Sequence, residues 1–458
     1  MPGPGPRRVL SLFDSTSLIV GIIIGAGVFV AAPEVARGAG SGTGVLLLWL
    51  AGGLLSLCGA LGYAELAATY PEAGGDVVYL TRAYGRWAGF LFGWIQTVVV
   101  RPGDIAVMAF VFATYAERLV HPAWGGRTGL AAVVVAVLTL VNAVGVRSGV
   151  RTQNVLTVAK LAGVLLVVAV AGTGPALAGA GSGLLEPAAP LPLGIALILV
   201  LFCYGGWNEM VYVAAEVRDP RRNIVRAMVI GMGAVTLLYL ALNGAFLHLF
   251  GWTGLTTSKA VAADAVATVA PVHAGAVVSL LICLCAAGAV NGLVFSGARI
   301  SFAVGRDHRV FAALGSWSER SGTPARALLL QGGLSLVLII ALGSFVDTVL
   351  YTAAAVYLFY LATSVAVIVL RVREPRAPRP YRTWGYPATT LVFCGVCLFL
   401  MVAAIRYRPW IAAACGALIL LGVPAYRLSE RLRSAREPAR VPGVRDRAVV
   451  QEAAENIP

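Results

Sequence analysis

The sequence predicts an all-α membrane protein with 12 transmembrane helices, and three observations carry that expectation. Of the 458 residues, 59% are hydrophobic and only 12% are charged, with mean hydropathy +0.84. Apolar runs of about 20 residues, the length that crosses a bilayer as a helix, recur along the whole chain. They are continuously apolar and do not alternate with period two, which excludes a strand barrel.

The spans are expected at 10–37, 44–70, 83–116, 128–146, 153–173, 192–217, 223–250, 272–304, 325–342, 346–370, 385–405 and 409–428. Spans 1 and 6 are discontinuous, interrupted near the middle by glycine: IIIGAGVF (Ile22 to Phe29) and CYGGWNE (Cys203 to Glu209). Glycine weakens a helix, and backbone freed of its hydrogen bonds survives at membrane depth only where it lines a cavity or a substrate. Two such breaks at corresponding places point to the midplane binding site of a secondary transporter. The breaks divide the chain into a first repeat of five spans (10–173) and a second (192–370), with spans 11 and 12 (385–428) appended. Five is odd, so the second repeat is inverted. A short segment, 1–9, precedes the first span, and a tail, 429–458, follows the last.

The net charge of +14 does not point to nucleic acid, because the basic residues are sorted by side. Of 35 Lys and Arg, 27 are assigned to the side of the N-terminus, 6 to the other (Arg37, Arg118, Arg127, Lys259, Arg406, Arg408) and 2 to the membrane interior (Arg101, Lys160). The positive-inside rule then makes both termini cytoplasmic in a multi-pass plasma (inner) membrane protein, with no signal peptide expected. All seven cysteines fall within spans, where Cys394 and Cys397 read as apolar packing. His121, His248, His273 and His308 are dispersed, so no metal or cofactor is expected. No HExxH, paired-acid or Ser, His and Asp constellation supports an enzyme, and polar groups gathered at two breaks disfavour a channel.

At the first break, Gly25, Ala26 and Gly27 expose backbone N–H groups at a helix start, which favours a carboxylate. The half-helix ending there exposes carbonyls that suit an ammonium, so one broken helix offers both poles for an amino-acid zwitterion. Lys160 lies about eight residues into span 5, roughly 12 Å at helical rise, and reads as a buried functional ammonium against a structural or snorkelling one. Arg101 and Asp104 read as an internal ion pair at a bend marked by Pro102. Glu65 and Glu216 read as interfacial caps. Glu209 follows the second break directly and is open between a substrate site, a proton site and a donor to exposed backbone.

Several motifs in order resemble the amino acid-polyamine-organocation superfamily: IVGIIIGAGVFVAAP (19–33), YAELAATYPEAGGDVVYLTRAYG (63–85), FCYGGWNEMVYVAAEVRDPRRNIVRA (202–227), VNGLVFSGARISFAVGRD (290–307) and RPYRTWGYP (379–387). The branch they are most similar to is the L-type amino acid transporter group and its bacterial relatives. The resemblance implies the LeuT-type 5+5 inverted repeat. The breaks and the resemblance together give an expected substrate-binding set of Ile23, Ile24, Gly25, Ala26, Gly27, Phe202, Gly205, Asn208 and Glu209; the resemblance implies carboxylate donors on the backbone of 25–27, amine acceptors on the carbonyls of Ile23 and Phe202 and a pocket role for Asn208, while Glu209 departs from it. Phe202 is implied as an aromatic gate and Lys160 as the surrogate of a sodium ion or a proton-coupling group. Ala26 stands where Ser is usual. The loop Glu117 to Arg127 has no cysteine, so no disulfide-linked heavy chain is expected. The expected function is sodium-independent transport of amino acids, neutral L-amino acids first and cationic amino acids or amines as the alternative, by an exchanger (antiporter) or proton-linked carrier. Its partners are then the amino-acid substrate and membrane lipid.

Overall fold

The computed structural model describes residues 11–71, 75–120, 126–144, 162–173, 189–267, 274–316, 318 and 323–434. The first span folds as α1 (Leu12–Ile23) and α2 (Gly27–Ala39), separated by residues 24–26. The sixth folds as α9 (Leu193–Cys203), a turn in which Gly206 takes a φ of 105°, and a 3₁₀ helix Trp207–Glu216. Both interruptions stand where the glycines predict them.

Around these run α3 (Gly42–Thr69), α4 (Asp76–Tyr84), α5 (Arg86–Ile95), α6 (Arg101–Ala116), α7 (Gly126–Val144) and α8 (Ala162–Thr173). The second half supplies α10 (Pro220–Thr257), α11 (Val261–Ala267), α12 (Ala274–Asp307), α13 (Ala325–Leu342), α14 (Phe345–Arg373), α15 (Ala388–Tyr407) and α16 (Pro409–Ser434). Among the described residues, ten helices are long and apolar enough to cross a membrane. The two halves of the first span and α8 are shorter. Large apolar side chains such as Leu54, Leu140, Leu237, Ile340 and Leu420 point outward, as a lipid solvent requires and water does not. The chain is a helical multi-pass membrane protein.

Three boundaries differ from the sequence expectation. The third span starts after Gly85, not at 83, because Gly85 takes a φ of 100° and ends α4. The loop expected at 251–271 contains α11, and the tail of α10 turns at Gly251 with a φ of 65°. The irregularity near Pro102 is a π turn over Gln96–Val100 that joins α5 to α6. Proline has no N–H to give the preceding turn, and a widened turn is one way a helix absorbs that loss.

Packing sorts the helices into two groups. In one, α1 and α3 lie on α10, and α2 lies on α9. In the other, α6 packs on α12, α7 and α13. Helix α14 touches both groups, through α6 on one side and α3 and α9 on the other.

Glu65 corrects an expectation. It is no interfacial cap but is 2% exposed, where α3, α14 and the connection to α15 meet. It accepts from Arg371 Nε at 2.8 Å and from the backbone N–H and the hydroxyl of Thr383, both at 2.7 Å. Arg379 Nε stands 3.6 Å away, and the Arg371 guanidinium also covers the Tyr386 ring at 3.6 Å. The side chain of Glu216 lies outside the described residues. Removing one partner of a buried ion pair strands the other charge, at about 3–5 kcal/mol. Glu65→Ala is therefore expected to lower the thermal unfolding midpoint of the purified protein in detergent by that order of free energy, and an unchanged midpoint would contradict the latch.

Candidate substrate cavity

The two breaks face each other across a cavity of about 450 Å³. Its walls include Ile23, Gly25 and Gly27 from the first break and Phe202, Gly205, Asn208 and Glu209 from the second. Seven of the predicted site residues are thus brought together. Two are not: Ile24 is buried in the core, and Ala26 turns toward a void of about 10 Å³ shared with Gly163 and Val164 of α8. A residue in an irregular turn keeps its backbone at the site while its side chain points elsewhere, so the serine-to-alanine departure at position 26 falls on the far side. Lys160 lies outside the described residues.

The polar groups at the breaks are partly engaged. Among the described residues, the backbone N–H groups of Gly25, Ala26 and Gly27 donate to no backbone carbonyl, while Phe29 N–H closes the next turn onto Ala26 O at 3.2 Å. The Tyr239 hydroxyl, from α10, lies 3.0 Å from Ile23 O and 3.1 Å from Cys203 O. Phe202 O accepts from Gly205 N–H at 2.9 Å. Phe202 O is also approached by the Tyr204 N–H that closes α9, whereas Ile23 O, with two lone pairs, has room for a donor besides Tyr239.

The Phe202 ring meets Phe345 edge-on, with centroids 6.2 Å apart and planes at 83°. Beyond this pair lies a second hollow of about 560 Å³, lined by Pro33, Glu34, Arg37, Thr114 and Phe345 among others. The main cavity runs the other way, toward the face on which α1 starts, past Tyr63 and Gln96 as far as Asp76. Its floor on that side is aromatic: Tyr360 stands edge-on to Tyr63 at 6.1 Å and lies 5.2 Å from the Trp207 ring. Tyr360 also donates its hydroxyl to Asn208 Oδ1 at 3.1 Å.

Arg101 corrects a second expectation. Its guanidinium donates to Glu209 Oε1 at 2.8 Å, with the arginine side chain 8% exposed and the glutamate 31%. The direct bond is between spans, while Asp104, the partner the sequence suggested, interacts with the same guanidinium through charge alone. It ties the start of the 3₁₀ segment to the second packing group at the cavity wall. Sequence reasoning also missed Tyr239, Gln96 and Tyr360. A buried tyrosine hydroxyl needs a partner, so a tyrosine in the middle of a span was the available signal.

An interrupted-helix pair meeting at a cavity is the arrangement of a secondary transporter. The amino acid permease family matches residues 10–416, and the chain belongs to it. It is 32% identical over 440 residues to the large neutral amino acids transporter small subunit 2 of Oryctolagus cuniculus, covering 93% of this chain and 81% of that one. It is 30% identical over 433 residues to the b(0,+)-type amino acid transporter 1 of Mus musculus, covering 92% and 88%. To the Asc-type amino acid transporter 1 of the same species it is 30% identical over 446 residues, covering 93% and 82%.

If Glu209 matters chiefly as the counter-charge of Arg101, then Glu209→Ala should destabilise by about 3–5 kcal/mol, because it strands a guanidinium inside the membrane. The double variant Arg101→Met, Glu209→Met should lose less than the single one, since a buried pair replaced as a unit by apolar groups is close to neutral. Thermal unfolding of the three proteins in detergent checks the order.

Proposed function

We propose that this chain is a sodium-independent amino-acid carrier that works by alternating access as an exchanger, with neutral L-amino acids among its substrates. The observation that carries the reading is the meeting of two interrupted helices at one cavity. On one side stand backbone N–H groups with no backbone partner, on the other the Ile23 carbonyl with a lone pair to spare. The start of α2 suits the α-carboxylate, the carbonyls of Ile23 and Phe202 suit the ammonium, and Leu293, Val349 and Ala353 offer an apolar wall for a side chain. A volume of about 450 Å³ falls in the usual range of small-molecule sites. The names of the relatives support an amino-acid substrate, and the permease family speaks against an enzyme.

Within this proposal the architecture is the LeuT-type arrangement of 12 spans in two inverted repeats, 10–173 and 192–370, with 385–428 appended. The two packing groups support it, since each draws its helices from both repeats. Lys160 keeps its role as sodium surrogate. The loop 117–127 offers no cysteine to tether a second subunit. In this reading both termini face the cytoplasm and the membrane is the plasma membrane; the 27 basic residues assigned to their side support the orientation. A tag on either terminus should be accessible only after the cells are opened, and labelling from outside would reverse the orientation.

The function is tested with full-length protein in liposomes. Labelled leucine should enter by counterflow against internal unlabelled leucine, equally in sodium and in choline, and Lys160→Ala should abolish it. Isoamylamine, which is leucine without its carboxylate, should compete weakly, because the donors at residues 25–27 would lose their partner. A strong sodium requirement, or equal competition by the amine, would overturn the proposal.

A further inference from the structure

We propose that the outward face of α10 binds an anionic phospholipid, with Arg222 and Arg226 on its phosphate and the apolar stripe beyond them against an acyl chain. Along this helix Arg222, Arg226, Ile230, Gly233, Leu237 and Ala241 follow at steps of three and four, so they share one face, and all six are exposed. The opposite face is filled by protein. A Cβ on Gly231 would meet Ile19 of α1 at 2.8 Å, Thr236 sits against Gly53 of α3, and Tyr239 bonds the two breaks. On the open face a Cβ on Gly233 would meet nothing within 4 Å, so the surface drops between Ile230 and Leu237, which are 51% and 70% exposed. The result is a shallow apolar groove with a basic end.

The heights suit a lipid standing upright. With the paired breaks at the midplane, and counting 1.5 Å per residue from Tyr239, Ile230 lies ~14 Å, Arg226 ~20 Å and Arg222 ~26 Å toward the side on which α1 starts. Half the hydrocarbon layer is about 15 Å and the headgroup layer ends at roughly 20–22 Å. The stripe from Ile230 to Ala241 therefore faces acyl chains, and the two guanidinium groups reach the phosphates.

Charge selects the headgroup. Arg37, Arg101, Arg118, Arg127, Arg371 and Arg408 each hold an acid. Arg218, Arg222 and Arg226 form no ion pair among the described residues, not even with Asp219 at the helix start. Like charges at i, i+4 repel, and an anion bridging Arg222 and Arg226 turns that repulsion into attraction. A phosphate offers the oxygens that a guanidinium fork matches. A phosphatidylcholine headgroup carries its own cation beside the phosphate and cancels the gain. The bound lipid rests on the helix that carries Tyr239, so it bears on the element joining the two breaks.

The test uses the full chain purified in mild detergent, with phosphatidylglycerol or phosphatidylcholine added and the retained lipid counted by native mass spectrometry. Phosphatidylglycerol should be retained in preference. The double variant Arg222→Gln, Arg226→Gln should weaken its retention by about fivefold for each arginine, while the double lysine variant should keep most of it. Gly233→Leu, which fills the groove where there is room, should weaken retention with both arginines in place. Arg406→Gln, an exposed arginine at the end of α15, is the control and should change nothing. Unfolding midpoints verify that each variant is folded. Equal retention of the two lipids, or unchanged retention in the double glutamine variant or in Gly233→Leu, would overturn the inference. So would full displacement of the lipid by inorganic phosphate, which would make the arginines a site for the free ion. A dimer without lipid that Gly233→Leu disrupts would give the face to a second copy of the chain and overturn it as well.

Discussion

Backbone polar groups inside a membrane must find partners, and in this chain one tyrosine hydroxyl is shared between both interruptions. Tyr239 sits within hydrogen-bond distance of Ile23 O and Cys203 O, at the last turns of α1 and α9. A phenol has a single proton to donate, so it satisfies neither carbonyl end fully. That shortfall is useful. The helix ends are held in register by a side chain from a third helix, yet enough hydrogen-bonding capacity stays unspent to hold a ligand. A leucine in place of Tyr239 would leave two carbonyl ends without this side-chain donor, and unsatisfied backbone at membrane depth is costly.

The carboxylates show the same contrast between saturation and vacancy. Glu65 takes bonds from Arg371 and from the backbone and hydroxyl of Thr383, and it is a fixed joint between α3, α14 and the connection to α15. Asp104 takes none among the described residues and faces the cavity. Glu209 is intermediate, with one oxygen on Arg101 and a side chain 31% exposed. Surroundings, not residue type, separate a structural acid from one free to meet a ligand.

How much of this was legible in the sequence follows from distance along the chain. The breaks were readable because glycine acts locally: IIIGAGVF and CYGGWNE carry their own backbone consequences. The partners were not. Arg101 and Asp104, three residues apart on one helix, looked like a pair, but the guanidinium finds Glu209 across 108 residues. Tyr239 reaches Ile23 across 216. Glu65 looked like a cap because it lies near a span end, and only the fold brings Arg371 and Thr383 to it. Ile24 and Ala26 show a different limit: position in a motif places a backbone, and the irregular turn decides where each side chain goes.

Helix α14 ties these features into a device. Its first residue, Phe345, forms the partition with Phe202. Its middle, from Val349 to Tyr360, lines the cavity, and Arg371 near its end is bound to Glu65. One helix of 29 residues therefore meets the partition, the site and the latch. A packed helix moves as a rigid body more readily than it stretches, so a displacement that parts Phe345 from Phe202 is transmitted toward the Glu65 joint. A ligand bridging the two breaks and the α14 wall binds the two packing groups to each other, and it shifts the equilibrium between arrangements only by its difference in affinity for them. Exchange in place of leak follows if the empty cavity, with its acceptors unpaired, crosses that equilibrium less readily than the filled one.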